Sequence, residues 1–142
     1  MNIKEINSKL SVADAVYVTD LEQIKALGFK SLICNRVPGE AEDHVSAAEL
    51  TAAAQALGIT VREIPVARND YSDESINEFE QALKDLPQPV LAFCRSGYRA
   101  ICMWALSQVN QQQLAVDEAM AQAASVGHDL SEIKTQLMSF SK

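Results

Sequence analysis

The 142-residue sequence lacks the long apolar runs and the clustered glycines that mark several classes of protein. No stretch approaches the roughly 18 consecutive apolar residues that a membrane-spanning helix needs, and the N-terminal residues lead into no apolar run of signal-peptide length. We therefore expect a cytoplasmic protein with no membrane partner. The five glycines are too widely spaced to form a Gly-rich nucleotide-binding loop.

Positive charge is also scarce, because 12 lysines and arginines are outnumbered by 19 aspartates and glutamates. The resulting net charge is −7. An acidic surface repels phosphate backbones and anionic lipid, so the sequence predicts no nucleic-acid partner and no binding to membrane surfaces. A small anionic substrate would have to be attracted by a local positive site.

Cysteine and histidine are few and show no ligand pattern. Cys34, Cys94 and Cys102 are an odd number without framework spacing, which is typical of free thiols in a reducing compartment. Cys34 is interpreted either as a core residue or as a second thiol approaching Cys94, and Cys102 as a packing residue. His44 and His128 have no cysteine or carboxylate partners at metal-ligand spacing. We expect no metal and no cofactor.

Short apolar runs alternate with amphipathic helical patterns, which predicts one α/β domain over residues 1–142. Capping-box signatures at Thr19 with Glu22 and at Ser46 with Glu49 indicate the first two helix starts. The wholly apolar run 89–93 is typical of a central parallel strand covered on both faces. Further strands are expected at 10–12, 31–35 and 59–66, and helices at 21–27, 46–57, 73–86, around 101–106, and at the C-terminal 114–126 and 130–138.

The segment Cys94–Arg99 directly follows the apolar run and leads into a helix. A tight turn that enters a helix presents unpaired backbone N–H groups, which bind an anion, and Gly97 permits the backbone angles of such a turn. These groups favour a Cys94 thiolate as nucleophile, and Arg99 can clamp an oxyanion with two parallel hydrogen bonds. We therefore predict a catalytic anion-binding loop whose other members are Arg95, Ser96, Gly97, Tyr98 and Ala100.

Six stretches of the sequence carry a family resemblance over nearly its whole length: KLSV, SLICNRVPGE, REIPV, VLAFCRSGYRA, WALSQ and HDLSEI. Together they resemble the phosphatase-like domain of beta-lactamase-hydrolase-like proteins, a bacterial branch related to dual-specificity and tyrosine phosphatases. The resemblance implies a mostly parallel sheet of four to five strands flanked by helices. It also implies that the Cys loop lies at the C-terminal end of a strand, where open α/β sheets bind ligands.

The same resemblance implies a general acid. Dual-specificity phosphatases carry an aspartate on the loop after the strand that precedes the Cys strand, and Asp70 occupies that place, with Asp73 as the other candidate. The leaving alkoxide of a phosphoester must receive a proton, which a carboxylic acid can donate. Either aspartate could equally be a solvated turn residue or a helix cap.

Asn35 and Arg36 follow another predicted strand and are candidates for the surroundings of the site. Arg36 would either add positive charge to the mouth of the site or pair with Glu40 at the surface. Both alternatives stay open at the level of sequence.

Three features of the loop depart from the phosphatase pattern. Only four residues separate Cys94 and Arg99 where phosphatases have five, Phe93 replaces the usual histidine, and Ala100 replaces a serine or threonine. The loop resembles instead the Cys-x-x-Gly-x-Arg loop of rhodanese-type sulfurtransferases. In that chemistry a cysteine persulfide, held by backbone N–H groups, is passed to an acceptor thiol or cyanide.

Two enzymatic hypotheses and one non-enzymatic hypothesis follow. We expect persulfide sulfur transfer, because the loop contacts the reacting atom, and the fusion of family members to a metallo-β-lactamase-like domain implies a sulfur-handling enzyme of that fold as partner. The alternative is a tyrosine or dual-specificity-type phosphatase that uses Cys94, Arg99 and Asp70. The third is an inactive anion-binding module, against which the intact loop argues. The expected substrate is a small anionic molecule, either phosphorylated or a persulfide.

Overall fold

The computed structural model describes residues 1–40 and 46–141, and within them a five-stranded sheet lies between helices. The strands β1 to β5 are Ile3–Glu5, Leu10–Ala13, Ser31–Cys34, Thr60–Glu63 and Val90–Phe93. Their order across the sheet is β1-β2-β5-β3-β4, with β1 antiparallel to β2 and all other neighbours parallel. The apolar run at β5 is therefore the central strand, and the predicted α/β class with its mostly parallel sheet is confirmed.

In the described parts of the chain, six helices, α1 to α6, surround the sheet: Leu21–Ala26, Ala47–Ala56, Asp73–Asp85, Tyr98–Asn110, Val116–Ser125 and Lys134–Phe140. The predicted cap of α2 is confirmed, since the Ser46 hydroxyl accepts the Glu49 N–H at 3.1 Å. The predicted cap at Thr19 is wrong. A 3-10 turn over Val18–Asp20 precedes α1, and the Asp20 carboxylate accepts the Tyr17 N–H at 2.9 Å.

Two strands differ from the prediction by more than one residue. β1 was not predicted, because a three-residue antiparallel edge strand is too short to show an alternating pattern. The predicted strand 59–66 pairs as a ladder only over Thr60–Glu63. Beyond it, Ile64 and Val66 donate their N–H groups to the carbonyls of Cys34 and Asn35 at 2.9 and 3.2 Å, while the intervening Pro65 has no N–H to donate.

The alternation of side chains along the strands divides the core into two parts. Ala92 and Cys94 belong to the part that α4 covers, together with Cys102 of that helix. Phe93 and Cys34 belong to the opposite part. Cys34 therefore lies on the other side of the sheet from Cys94 and does not serve as the second thiol that the sequence left open.

Candidate active site

The Cys loop begins where β5 ends and is anchored to the neighbouring strand β2. Cys94 donates its N–H to the carbonyl of Ala13 at 3.4 Å, and the carbonyl of Arg95 accepts the N–H of Ala15 at 3.2 Å. Because β2, β3 and β5 are parallel, their C-terminal ends meet at this edge of the sheet. The loop thus occupies the ligand-binding position of open α/β sheets.

Gly97 forms the turn from the loop into α4. Its φ of 93° is a left-handed conformation, which a residue with a Cβ rarely adopts. The Gly97 N–H donates to the Sγ of Cys94 at 3.0 Å. A Cβ at this position would also lie 3.3 Å from the Nε2 of His128, a contact that no sequence pattern indicated. The glycine therefore directs a backbone N–H group at the sulfur.

A cavity of about 620 Å³ opens in front of the loop. The Cys94 side chain is fully buried and does not line this cavity. In this conformation solvent does not touch the sulfur. The residues that line the cavity are Val37, Glu40, Ala67, Arg68, Arg95, Ser96, Tyr98 and Arg99.

The Arg99 guanidinium is held in place from several sides. Its Nη1 and Nη2 donate to the two carboxylate oxygens of Glu40 at 2.8 and 2.7 Å. Nη1 also donates to the carbonyls of Val66 at 3.0 Å and Asn35 at 3.4 Å. The hydrogen bond to Glu40 is the main cause that raises the pKa of Arg99, and the nearby Cys94 side chain raises it further. Arg99 is a fixed cation beside the sulfur.

These hydrogen bonds leave part of the guanidinium available. An arginine has five N–H donors. Glu40 and the two carbonyls occupy both donors of Nη1 and one of Nη2. Within the described residues, the Nε–H and the second Nη2–H of Arg99 have no oxygen partner. These two donors form one edge of the guanidinium, the geometry that binds two oxygens of a phosphate.

Glu40 joins the loop after β3 to the arginines of the site. Its carboxylate accepts bonds from Arg99, from the Nε of Arg36 at 3.2 Å and from the Val37 N–H at 2.6 Å. The hydrogen bond from Arg99 is the largest cause that lowers the pKa of Glu40 to about 2. Of the two alternatives for Arg36, the pair with Glu40 is present, but it is not at the surface, since Arg36 is only 3% exposed. Arg36 contributes its charge from behind the cavity.

Asn35 has a backbone role at the site. Its carbonyl accepts the N–H of Val66 and an Arg99 donor, while its Nδ2 donates to the carbonyl of Ile64 at 2.9 Å. The buried Oδ1 has no hydrogen-bond partner among the described residues. Asn35 therefore helps to position Arg99, as a member of the surroundings that the sequence indicated.

The two candidate general acids lie outside the cavity lining. Asp70 is exposed and closes a turn in which its N–H donates to the Ala67 carbonyl at 3.1 Å. Asp73 is the first residue of α3 and is also exposed. Ala67 and Arg68, in the same turn as Asp70, line the cavity. Asp70 is therefore closer in sequence to the cavity-lining residues than Asp73 is. Their role as acid stays a prediction.

A polar network that the sequence did not reveal lies beside the cavity, and two of its members, Arg68 and Tyr98, line it. The Arg68 guanidinium lies 4.2 Å from the ring centre of Tyr98 and pairs with the Glu132 carboxylate at 2.7 Å. The Tyr98 hydroxyl donates to the Oδ1 of Asn69 at 3.0 Å, and the Nδ2 of Asn69 donates to Glu132 at 3.2 Å. These residues come from distant parts of the chain, and no local pattern joins them.

The other loop residues differ in exposure. Arg95 and Ser96 are exposed and line the cavity, and the Ser96 hydroxyl accepts the Tyr98 N–H at 3.3 Å. Ala100 is fully buried in the first turn of α4. Of these three residues, Arg95 and Ser96 therefore face the cavity, while Ala100 packs in the core.

The remaining cysteines are unsuited to nucleophilic attack. Burial raises the pKa of Cys34 to about 11 and that of Cys102 to about 12, so both stay protonated at neutral pH. Over the described parts of the chain, no group of three histidines, cysteines or carboxylates gathers closely enough to hold a metal ion. No helix there is both long and apolar enough to cross a bilayer.

Residues 2–111 match the family model described as beta-lactamase hydrolase-like protein, phosphatase-like domain. The chain belongs to this family. The protein of that name from Xylella fastidiosa strain Temecula1 is 28% identical over 137 residues, which cover 96% of this chain and 32% of the relative. That from Agrobacterium fabrum strain C58 is 31% identical over 108 residues, or 76% of this chain and 25% of the relative. The chain spans a third or less of these relatives.

Solved structures support the same placement. A candidate phosphatase from Neisseria meningitidis Z2491 has a TM-score of 0.88 and 28% identity, with 99% of each chain covered. The kinase-associated phosphatase, at 17% identity and a TM-score of 0.75, shares the fold, as does the catalytic domain of an S. cerevisiae PP-IP phosphatase at 12% and 0.73. The chain therefore has a tyrosine or dual-specificity phosphatase fold. These similarities favour the phosphatase alternative over sulfur transfer.

Proposed function

We propose that this chain is a phosphoester hydrolase in which Cys94 is the nucleophile and Arg99 binds the phosphoryl oxygens. The observation that carries the proposal is the arrangement of Arg99. Glu40 fixes its guanidinium beside Cys94 and leaves one donor edge for two oxygens. The family and the fold support the same reaction class.

The proposed reaction has two steps. The Cys94 sulfur attacks phosphorus, the bond from phosphorus to the ester oxygen breaks, and the leaving alkoxide takes a proton. Water then attacks the phosphocysteine, the phosphorus–sulfur bond breaks, and inorganic phosphate and the thiolate are released. Arg99 and the loop N–H groups stabilise the charge on the phosphoryl oxygens in both steps.

The proton for the leaving group needs a separate donor. Glu40 lines the cavity, but its pKa of about 2 keeps it ionised at neutral pH, so it does not act as the acid. Asp70 is the proposed acid because its turn contributes Ala67 and Arg68 to the cavity wall. Asp73, the other candidate acid, provides the control for variants of Asp70.

Sulfur transfer is the second candidate, and one observation favours it. The four-residue spacing between Cys94 and Arg99 matches the rhodanese-type loop and departs from the phosphatase loop. In this reaction the Cys94 thiolate would take the outer sulfur of thiosulfate, releasing sulfite, and the persulfide would pass that sulfur to cyanide. A Cys94 persulfide would add the mass of one sulfur atom to the chain.

The deciding experiment measures phosphate release and thiosulfate-to-cyanide transfer on one purified sample. We expect hydrolysis of phenyl phosphate and 4-nitrophenyl phosphate, abolished in C94S and retained in the matched variant C102S. Efficient sulfur transfer, a persulfide mass on Cys94 and no phosphate release would contradict the proposal and establish the second candidate.

The general acid is tested in the same assay. We expect D70N to lower kcat on phenyl phosphate by about 10²-fold or more, the usual contribution of a general acid. The loss should be smaller on 4-nitrophenyl phosphate, because nitrophenolate leaves without needing a proton. D73N should show neither effect, and equal losses in both variants on both esters would remove Asp70 from the mechanism.

A further inference from the structure

The arginines of this acidic protein are concentrated at one place. The sequence has five arginines, and three of them, Arg68, Arg95 and Arg99, line the cavity before the Cys loop. Arg36 lies behind them, bonded to Glu40. The fifth, Arg62, is exposed on β4 and does not line the cavity. No lysine of the described residues lines it either. In a chain whose net charge is −7, this clustering of arginines indicates an anionic ligand.

The transferred phosphoryl group does not need all of these cations. Arg99 and the loop N–H groups already provide its binding site, and Glu40 balances the charge that Arg99 and Arg36 carry in part. Arg95 is exposed, and its side chain has no ion pair or hydrogen bond with any described residue. Arg68 lines the same cavity. These two arginines are available for a further anion.

The Arg68 side chain is oriented by its neighbours but remains largely exposed to solvent. Its side chain is 59% exposed, although it stacks on the Tyr98 ring and pairs with Glu132. Stacking fixes the plane of the guanidinium, and a half-exposed ion pair contributes little energy, so an incoming anion can replace Glu132. The cavity of about 620 Å³ is in the range that holds a whole small molecule, roughly 300–1,000 Å³.

We propose that the substrate is a small phosphoester carrying a second anionic group, a phosphate or a carboxylate, and that Arg95 and Arg68 bind that group. The proposal rests on the phosphatase function proposed above and names its substrate class. Arg99 holds the phosphoryl group that is transferred, and Arg95 and Arg68 determine which esters are accepted. Glu132 competes with the substrate for Arg68.

The test compares esters that differ by one anionic group. The two pairs are phenyl phosphate with 4-carboxyphenyl phosphate, and fructose 6-phosphate with fructose 1,6-bisphosphate. The measured quantity is the ratio of kcat/KM within each pair, at low and at high salt. We expect the wild-type chain to prefer the ester with two anionic groups in at least one pair by about tenfold or more, the factor that one hydrogen bond between charged groups provides. High salt should reduce that preference.

Variants separate binding of the second anion from general effects of charge. R95A and R68A should each lower the preference about tenfold. E132Q should raise it, because Arg68 then loses its competitor, and a purely structural role of these residues would not give changes of opposite sign. R62A removes the same charge from a surface outside the cavity and should leave the preference unchanged.

The outcomes distinguish the two proposals. Hydrolysis of both members of each pair at equal kcat/KM, or a preference that R95A and R68A leave intact, contradicts the second anion site and leaves the phosphatase function standing. No hydrolysis of any ester contradicts the phosphatase function, and the second anion site then falls with it.

Discussion

The Sγ atom of Cys94 is enclosed by protein and still receives a backbone N–H, that of Gly97 at 3.0 Å. Withdrawal of a thiolate from water is costly unless donors replace the lost hydration. The Gly97 amide and the nearby Arg99 cation would provide that replacement for the thiolate of the proposed reaction. The orientation of the amide depends on the left-handed backbone of Gly97, so one residue controls the environment of the sulfur.

Replacement of Gly97 by alanine should lower both stability and activity. An alanine at a φ of 93° costs about 1–2 kcal/mol of folding free energy, and its Cβ would lie 3.3 Å from the Nε2 of His128 and 3.5 Å from the carbonyl of Ala13. Relief of that crowding turns the amide away from the sulfur, so kcat should fall more than stability explains. Urea denaturation and phosphate release measure the two effects.

Gly28 provides the matched control for that variant. It has a φ of 98°, but a Cβ there would have no neighbour within 4 Å. G28A should therefore lose comparable stability and keep full activity. If G97A behaves as G28A does, the amide of Gly97 is unimportant for the reaction.

For individual residues, the order of the sequence predicts the Cys loop but not the distant residues that contact its side chains. Cys94, Gly97 and Arg99 fall within six residues, so the strand–turn–helix order is visible in the sequence. Glu40 bonds to Arg99 across 59 residues of sequence. Glu132 bonds to Arg68 across 64 residues. Such pairs depend on how the elements pack, and a pattern within a window of sequence does not contain that information.

Among the elements, the loop after β3 and the helix α4 are joined by the carboxylate of Glu40. Three N–H donors of arginine side chains and the Val37 N–H converge on its two oxygens. The strand ends and helix starts are predictable from apolar runs and caps, whereas this hydrogen-bonded contact between a loop and a helix is not. It fixes the guanidinium whose free edge the proposed reaction uses.

The hydrogen bonds of the Glu40 carboxylate should make the stability of the fold depend on pH in a defined window. The pKa of Glu40 is lowered to about 2, chiefly by Arg99, from an ordinary value of 4.5. A lowered pKa means that the stabilisation is fully present above the ordinary value and is lost as pH falls toward about 2. E40Q should therefore melt at a lower temperature than wild type at pH 7, and the gap should narrow as pH falls from 4.5 toward 2.

Thermal melts followed by circular dichroism at several pH values in this range measure that gap. E132Q is the comparison, because it removes an ion pair that is half-exposed on both sides and should change the melting temperature little at any pH. A gap between wild type and E40Q that stays constant from pH 7 to 3 would show that the carboxylate charge of Glu40 is not what stabilises the fold.

For the whole molecule, the family match ends at residue 111, but the core does not. The helices α5 and α6 follow that point and pack on α4, with Ala119, Ala123 and Leu137 fully buried in the same part of the core as Cys94. The C-terminal segment also brings Glu132 to Arg68 at the cavity wall. Residues beyond the family match therefore contribute to both the core and the site.

If α5 and α6 fold together with the rest, a cavity at Leu137 should destabilise the whole chain. L137A should lower the free energy of unfolding by about 2–5 kcal/mol, the usual cost of removing a buried leucine side chain. Trp104, the single tryptophan, is 2% exposed on α4 and reports the central core by fluorescence, while far-UV circular dichroism reports all helices. Both urea midpoints should fall together, and M138A, at a 58% exposed neighbour in α6, should move neither. An early loss of helical signal with an unchanged Trp104 midpoint would mean that the C-terminal helices unfold on their own.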